Sequence, residues 1–434
     1  MLGKGGRADQ NGEPMSAALA VGLDFGTTNS AVAIAEDGGP VRVLPLPTPD
    51  GGTVGYWRTV LCFEPAEDGK PMRSSAGAPA IARYADSEGV ARLLQSIKSH
   101  LAAASFVDTS IFGKRMRVEE LIGVYLRALR AAAPVDLGRR VVVGRPVRYW
   151  GAEDDKDDAR AVERMRKALA LAGFDEVTFA FEPVAAAHAY AARLDHDELV
   201  LIADFGGGTS DFSVVEVGPR AGAKVRATSG VAVAGDAFDA RVVDHVIAKP
   251  LGKGSRYKVE MGGEAQVPSW IYNSLRRWHH LSMLKSPETM RLLDRVVTGS
   301  LEPKAISRLL HVIEDDLGLP MHAAVEASKL ALSRADHAPF RFVRPGVEVL
   351  DTIARAAFDG WIEDDLVAID LAVTDALTIA GVEAADIDRV FATGGSSLVP
   401  AVRAHLAARF GAEKLVGGEE LTSVAAGLAE MAAI

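Results

Sequence analysis

The sequence predicts an α/β protein of two related lobes, and two observations carry that prediction. The first is an alternation of apolar, β-rich runs with segments of helical periodicity. The second is an internal repeat, because the segment VGLDFGTTNS at 21–30 matches LIADFGGGTS at 201–210 in residue type. Each copy has an apolar strand, a turn of small residues led by an aspartate, and a second apolar strand. Each copy therefore predicts a β-hairpin.

The elements follow in order along the chain. Residues 1–17 are rich in glycine and polar residues without periodicity, which predicts a flexible tail. The first lobe is predicted at 18–197 with an insertion at about 46–118, and the second at 198–434 with a helical insertion at about 240–345. Apolar runs and helical periodicity place the main elements at 20–34, 41–44, 118–132, 140–143, 198–217, 389–393 and 399–409. The C-terminal helices are expected to complete the cleft between the lobes.

Composition limits the classes of function. Of the 434 residues, 48% are hydrophobic and 24% are charged, so general disorder and fibrous repetition are poor interpretations. The net charge of −10 argues against a nucleic-acid partner, because binding a phosphate backbone needs clustered lysine and arginine. The single cysteine, Cys62, excludes an intramolecular disulfide, an iron–sulfur cluster and a cysteine-based zinc site within one chain. These features favour a packed enzyme in the reducing cytoplasm.

Two observations argue against a membrane partner. No uncharged apolar stretch approaches the roughly 20 residues that a transmembrane helix needs. The apolar run at 17–23 is short and ends in Asp24 and Gly26, so it predicts a strand and not a signal peptide.

The segment 270–317 is amphipathic and predicts a small helical subdomain. Trp270 and Trp278 are candidates for a partner surface, but an amphipathic helix usually buries such a stripe, and the choice between the two is left open. Its adjacent His279 and His280 diverge by about 100° on a helix, so no metal site is predicted there.

The two hairpin turns are candidate phosphate-binding sites. Glycine leaves backbone N–H groups free to approach an anion, and the hydroxyls of Thr27, Thr28 and Thr209 add side-chain donors. Two such turns can clasp one polyphosphate. Asp24 and Asp204 each end a strand beside a turn, and acids that converge on a phosphate need a divalent cation, for which magnesium is the natural choice. The alternative, that these residues only close the strands, suits a single copy better than a matched pair.

Two weaker elements lie further along the chain. The triplet GGS at 394–396 directly follows an apolar strand, where glycine lets the backbone lie flat against a ring or a phosphate. Glu326, Lys329 and Ser333 share one helix face at i, i+3 and i+7, which by itself is typical of a solvated surface. The Asp-Phe-Gly triplet of each turn does not indicate a protein kinase, because the rest of that signature is absent.

Together and in this order, the four elements resemble the nucleotide-binding domain of the superfamily of actin, the sugar kinases and the DnaK-type (70 kDa heat-shock) chaperones. The resemblance covers nearly all of residues 20–430. It implies a two-lobed actin-like ATPase with ribonuclease H-like lobes and an inserted subdomain in each lobe.

Finer motifs are similar to the chaperone branch. They are FEPVAAA at 181–187, GDAFD at 235–239, and EASK with LS within 326–333. The segments QSIKS at 95–99 and VVGRP at 142–146, with the helical insert, resemble the YegD-like branch. Members of that branch lack the peptide-binding domain, so none is expected here.

The resemblance implies ATP or ADP and Mg²⁺ as cofactors and assigns a role to each matching residue. Lys98, Glu182, Asp204 and Thr209 are the expected catalytic residues; Lys98 offsets charge beside the γ-phosphate, and Asp204 helps to activate water. Asp24, Asp204 and Asp211 are expected to hold Mg²⁺ largely through water. The expected nucleotide-binding residues are Gly26, Thr27, Thr28, Asn29, Gly206, Gly207, Gly208, Thr209, Gly235, Glu326, Lys329, Ser333, Gly394, Gly395 and Ser396.

Two departures from the family pattern bear on function. Leu398 stands where the family has an arginine that stacks on the adenine, which weakens the expectation of adenine specificity. Asp154 stands where the chaperones have an arginine, eight residues after Pro146, that reports the state of the interdomain linker. Client proteins or a co-chaperone are therefore expected to bind, if at all, through another surface.

The predicted function is a slow, cytoplasmic, YegD-like chaperone ATPase of the DnaK type. It binds Mg-ATP between two lobes, hydrolyses it to ADP and phosphate, and couples nucleotide state to lobe closure and partner binding. Two alternatives are a small-molecule kinase of the sugar-kinase type and an actin-like filament former. Phosphate transfer to polyols would favour the first alternative, and nucleotide-dependent sedimentation the second.

Overall fold

The computed structural model describes residues 19–36, 39–66, 71–87, 90–191, 194–259, 262–277, 281, 284–416 and 423–433. The predicted tail at 1–17 and the residues Trp278, His279 and His280 lie outside the described residues. Of the side chains of Ala189 and Ser423 nothing is described.

Strands and helices alternate along the chain. The strands are β1 (Ala20–Phe25), β2 (Asn29–Ala35), β3 (Arg42–Val43), β4 (Leu46–Pro47), β5 (Thr53–Val54), β6 (Trp57–Arg58), β7 (Val60–Glu64), β8 (Arg73–Ala76), β9 (Arg92–Gln95), β10 (Asp108–Ile111), β11 (Lys114–Arg117), β12 (Arg140–Arg145), β13 (Glu176–Phe181), β14 (Glu198–Phe205), β15 (Ser210–Gly218), β16 (Gly222–Val231), β17 (Arg256–Lys258), β18 (Glu264–Gln266), β19 (His337–Arg344), β20 (Val347–Ala354), β21 (Arg389–Thr393) and β22 (Leu415–Val416). The α-helices are α1 (Gly77–Asp86), α2 (Val118–Ala132), α3 (Asp155–Leu171), α4 (Glu182–Ala191), α5 (Gly235–Val242), α6 (Ser269–Leu275), α7 (Pro287–Gly299), α8 (Pro303–Glu314), α9 (Gly318–Leu332), α10 (Arg355–Trp361), α11 (Glu363–Ala380), α12 (Pro400–Phe410) and α13 (Ser423–Ala432).

The two main sheets have the same strand order. The first runs β3-β2-β1-β12-β13, with β6 also beside β2, and the second runs β16-β15-β14-β21-β22. In each sheet the repeated hairpin is antiparallel and its first strand continues into parallel neighbours. The hairpins share one register, since Phe25 pairs with Ser30 and Phe205 with Ser210. The prediction of an α/β fold with two related lobes is confirmed.

Helices bury an apolar face against each sheet. Leu23 of β1 and Tyr125 of α2 belong to one core, and Leu201 of β14 and Val373 of α11 belong to another. Burying one large apolar side chain is worth roughly 1.5–3 kcal/mol. These cores therefore fix the positions of the two hairpin turns.

The acidic run at 153–158 begins helix α3. Asp154 is the N-cap residue, and its side chain accepts hydrogen bonds from the backbone N–H groups of Lys156 and Asp157. Such a cap stabilises a helix by about 1 kcal/mol, and the acids behind it suit the positive end of the helix dipole. The aspartate that departs from the chaperone motif thus has a helix-capping role here.

Helices α4 and α13 pack against each other between the two sheets. Helix α4 contacts strands of both sheets, chiefly β15 and β16 of the second, whereas α13 contacts β1, β2 and β12 of the first. A Cβ atom on Gly427 of α13 would lie 1.9 Å from the backbone oxygen of Ala185 in α4, so only glycine fits at this crossing. The predicted division at residues 197 and 198 assigns α13 to the second lobe, but this helix packs on the first sheet.

The two regions predicted as insertions carry small sheets of their own. In the first, β7 pairs with β8 and β9, β4 with β5, and β10 with β11. In the second, helices α6 to α9 accompany the pair β17 and β18, and the pair β19 and β20 continues past residue 345. Across the part of the chain that is described, no helix combines the length and apolar character needed to cross a membrane.

Candidate functional site

A cavity of about 410 Å³, here called the main cavity, is lined by residues of both lobes. Most of the predicted site residues form its wall: Asp24, Gly26, Thr27, Thr28, Asn29, Lys98, Glu182, Asp204, Gly206, Gly207, Thr209, Asp211, Gly235, Glu326, Lys329, Gly394, Gly395 and Ser396. The wall does not include Gly208 or Ser333.

Local geometry explains the difference at Ser333. Ser333 follows the last residue of α9, and its hydroxyl donates a hydrogen bond to the backbone oxygen of Leu330 at 2.6 Å. The predicted polar face of α9 therefore reaches the cavity through Glu326 and Lys329, whereas Ser333 lies past the end of the helix. At Gly208 a Cβ atom would meet nothing closer than Oδ2 of Asp236 at 3.9 Å, so packing does not require glycine at this position.

The turns of the two hairpins touch each other. A Cβ atom on Gly207 would lie 2.0 Å from the hydroxyl oxygen of Thr28. The backbone of the second turn therefore packs directly against the side chain of Thr28 in the first turn. The backbone N–H of Gly206 donates to the oxygen of Thr209 at 2.9 Å, and the N–H of Asp236 donates to the oxygen of Gly207 at 2.7 Å. Small residues in the repeat thus bring two sets of backbone and hydroxyl donors to one place.

A buried ion pair lies in the same wall. Lys98 belongs to a short 3-10 helix, Ile97–His100, which follows Ser96 in the left-handed region at φ 55°. The Nζ atom of Lys98 donates a hydrogen bond of 2.7 Å to Oε1 of Glu182, which is the first residue of α4. Asp204 accepts a hydrogen bond from the hydroxyl of Thr393 at 2.9 Å. A cation and several acids therefore meet where β1, β14 and α4 converge.

Burial raises the pKa of the three predicted metal-holding acids. The pKa of Asp24 rises to about 8, because burial and then the charge of Glu182 disfavour ionisation. The pKa of Asp211 rises to about 7, through burial and then repulsion by Asp204. The pKa of Asp204 is also raised, with burial again the largest cause. Burial is the largest effect and opposes the charge of Lys98, but the combined attraction of Glu182, Tyr149 and Asp24 outweighs it and raises the pKa of this lysine.

These acids suit a hydrated divalent cation. Carboxylates that repel each other in one cavity ionise more readily when a cation lies among them. Within the described residues, no group of three or more acidic, histidine or cysteine side chains is arranged to hold an ion directly. Mg²⁺ usually keeps several of its water ligands. Asp24, Asp204 and Asp211 thus offer the carboxylate oxygens that Mg²⁺ prefers as ligands.

Helix α9 joins the two lobes at the other end of the main cavity. Glu326 forms an ion pair with Arg58, which belongs to β6 of the first lobe. Lys329 lies 2.6 Å from Oδ1 of Asp239 and donates to the backbone oxygen of Gly235 at 3.4 Å. The face of α9 thus holds cations and anions next to the glycine-rich turns.

Two exposed leucines interrupt this polar wall. Leu330 of α9 is 52% exposed, and Leu398, at the end of the 3-10 helix after Gly394, is 39% exposed. Both line the main cavity. Large apolar side chains that face a polar cavity offer dispersion contacts to a flat ring but no hydrogen bonds.

Sequence reasoning missed several residues of the wall, including Arg58, Tyr149, Trp150, Leu330 and Thr393. Leu330 and Thr393 adjoin predicted residues in the chain, and that adjacency was an available signal. For Arg58, Tyr149 and Trp150 the chain gives no such signal, because only tertiary packing brings their segments to the cavity.

A family model described as "Hsp70 protein" matches residues 82–263 and 315–434, which is more than half of the chain. Two curated relatives, each named "Chaperone protein DnaK", come from Deinococcus deserti and Deinococcus proteolyticus and are 26% and 25% identical over 402 residues. Both alignments cover 89% of this chain, but 55% and 54% of the relatives. The chain therefore spans about half the length of the curated relatives it matches.

Proposed function

This chain belongs to the Hsp70 family, and from that premise we propose that it is an ATPase that binds Mg-ATP in the main cavity and hydrolyses it to ADP and phosphate. Membership of the family confirms the predicted two-lobed actin-like fold class. One observation carries the proposed activity. The Lys98–Glu182 ion pair and three acids of raised pKa lie in one cavity with the backbone donors of two matched turns.

Each group has a proposed part in the reaction. Backbone N–H groups and the hydroxyls of Thr27, Thr28 and Thr209 bind the phosphates, and Lys98 offsets the charge that develops on the γ-phosphoryl group. Mg²⁺, when bound, supplies a further positive charge to the phosphate oxygens. The attacking water passes a proton to Asp204 while its oxygen bonds to the γ-phosphorus, and the bond to the β-phosphate oxygen breaks to leave ADP. Glu182 holds Lys98 in place.

We extend the proposal to a chaperone role, since both relatives are named as chaperones. The Arg58–Glu326 pair joins the lobes across the main cavity, and the crossing of α4 and α13 lies where the lobes meet. Nucleotide state is proposed to change the angle between the lobes at these contacts and so to time the binding of client proteins or a co-chaperone. Assignment to the YegD-like branch and to the cytoplasm belongs to the same proposal.

The test combines binding with turnover. Calorimetric titration of ATP into the purified full chain measures binding, and release of labelled phosphate from ATP measures cleavage. Asp204→Asn should keep binding and lose cleavage, while Asp375→Asn, which changes an exposed acid of α11, should change neither. Absence of ATP binding, or full cleavage by Asp204→Asn, would contradict the proposal. Label recovered on an added polyol would favour the small-molecule kinase instead.

A further inference from the structure

A second cavity, of about 320 Å³, adjoins the main cavity on the far side of the acids. We call it the rear cavity. The two cavities share wall residues, among them Arg148, Trp150, Glu182, Asp204 and Asp211. The rear cavity alone is lined by Ser213 of β15, Thr228 and Ser229 of β16, and Ala186 of α4. The acids Glu182, Asp204 and Asp211 therefore form a boundary between the main cavity and the rear cavity.

The segment that carries Arg148 and Trp150 is held firmly at its base. Arg145 donates to Asp158 at 2.6 Å and to the backbone oxygens of Pro146 and Val147 at 3.0 and 3.1 Å. Its guanidinium group also lies over the rings of Tyr149 and Phe181, at 5.4 and 5.2 Å. The segment is thus fixed, while the Trp150 residue at its tip is 50% exposed at the boundary.

The position of this boundary matters for product release, and the argument rests on the proposed function. A nucleotide whose phosphates lie on the two turns places its terminal phosphate beside Lys98, Glu182 and Asp204. After cleavage, ADP still fills the main cavity, and free phosphate lies between ADP and the acids. Arg148, on the wall that the two cavities share, provides a positive charge for this anion, and the hydroxyls of Ser213 and Thr228 line only the rear cavity.

We propose that the rear cavity is a phosphate-binding site through which inorganic phosphate leaves while ADP remains bound. Arg148 is its anion-binding group, and Trp150 narrows its entrance. Arg148 pairs with Asp155 at 3.1 Å, but the two side chains are 49% and 98% exposed, so this pair is weak and the guanidinium group is free to turn to an anion. The hydroxyls of Ser213 and Thr228, 3.4 Å apart, add donors deeper in the cavity. A volume near 300 Å³ is at the lower limit for drug-sized ligands and is ample for a phosphate ion.

The experiment compares cleavage with release in a single turnover of the full chain. Quenched flow measures phosphate formed, and a fluorescent phosphate sensor measures phosphate in solution. Thr228→Phe fills the rear cavity from a strand that does not line the main cavity, and Lys224→Phe is the matched control at an exposed position of the same strand. Arg148→Ala removes the proposed anion-binding group without adding bulk.

Cleavage by Thr228→Phe should match that of the wild type, while release lags behind it. Arg148→Ala should weaken binding of inorganic phosphate to the ADP complex about tenfold, as loss of one charged hydrogen bond predicts. It should also delay release behind cleavage, because the anion is no longer attracted to the rear cavity. Lys224→Phe should release phosphate as the wild type does. Release that keeps pace with cleavage in both rear-cavity variants would overturn the inference and leave the proposed ATPase intact, whereas absence of cleavage by the wild type would overturn both.

Discussion

The Nζ atom of Lys98 lies 2.7 Å from Oε1 of Glu182, and the two side chains are only 10% and 14% exposed. The lysine comes from the inserted region of the first lobe, and the glutamate begins the helix that leads into the second. Loss of one partner from a buried pair leaves a charge without compensation. The pair therefore bears on stability as well as on the proposed chemistry.

Lys98→Ala should reduce single-turnover ATP cleavage at least ~100-fold, because it removes a charge placed beside the transferred phosphate. It should also lower the free energy of unfolding by about 3 kcal/mol, the usual cost of orphaning a buried charge. The double variant Lys98→Met, Glu182→Gln should recover stability but not cleavage, and Lys156→Ala, an exposed lysine of α3, serves as the control. Wild-type cleavage by Lys98→Ala would remove this lysine from the mechanism.

Ionisation of Asp211 should destabilise the ligand-free protein. Its pKa is about 7 in the folded protein, against roughly 4 in an unfolded chain. Neutral, protonated Asp211 therefore makes its full contribution to folding stability below about pH 4. This contribution is lost as the pH rises through 7, at no more than about 1.4 kcal/mol per pH unit. Asp211→Asn should therefore gain stability relative to the wild type between about pH 5 and about pH 8 in urea denaturation. A stability difference that stays constant over this range, as expected for Asp375→Asn, would contradict the prediction.

Arg58→Ala should speed nucleotide release, because it removes an ion pair that crosses the main cavity. The partners are 38% and 42% exposed, so the pair is worth at most about 1 kcal/mol, or about a fivefold change in rate. Dissociation of a fluorescent ADP analogue measures the effect. Arg83→Ala breaks an exposed pair with Glu64 inside the first lobe and should leave the rate unchanged. Equal rates for the two variants would count against a role of the pair in closing the cavity.

Leu398→Arg should increase the affinity for purine nucleotides, ATP and GTP alike. In the wild type, Leu330 and Leu398 offer a base only apolar contact, which discriminates weakly between purines. A stacked guanidinium group adds about 0.5–2 kcal/mol, which corresponds to about a 2- to 30-fold gain in ATP affinity. Calorimetric titration with both nucleotides measures the change, and Leu371→Arg, at an exposed position of α11, is the control. An unchanged ATP affinity would show that residue 398 does not contact the base.

Gly427→Ala should destabilise the protein by about 1–3 kcal/mol, because its new methyl group overlaps the backbone of α4. Gly360→Ala provides a matched control. Gly360 lies in helix α10 with no atom within 4 Å of a Cβ position, so alanine there should stabilise by up to about 1 kcal/mol. Thermal and urea denaturation measure both. A neutral Gly427→Ala would mean that α4 and α13 separate at little cost.

Much of the fold follows from local pattern. The two hairpins were predictable because an aspartate and small residues interrupt apolar strands twice in the same order. The periodicity at 118–132 corresponds to helix α2, whose bounds are Val118–Ala132. Most of the predicted site residues reach one cavity because they occupy the same strand ends in both lobes.

The remaining features depend on contacts between distant segments. Nothing local in the chain shows that α13 returns to the first sheet, or that β6 brings Arg58 opposite Glu326. The position of Trp150 depends on the anchoring of its segment by Arg145 and Asp158, a geometry without a sequence signature. Ser333 was assigned from its helical spacing and the family resemblance, and neither reveals that α9 ends one residue earlier.

The packing of α13 has a consequence for biosynthesis. Strand β1 leaves the ribosome roughly 400 residues before the helix that covers it. Until then one face of the first sheet, including Ala31 and Ala33, lacks the contacts that Ala425 and Ala429 later provide. The first lobe therefore cannot complete its folding before the second is synthesised. Until α13 is available, the apolar face of the nascent first lobe is accessible to aggregation and to other chaperones.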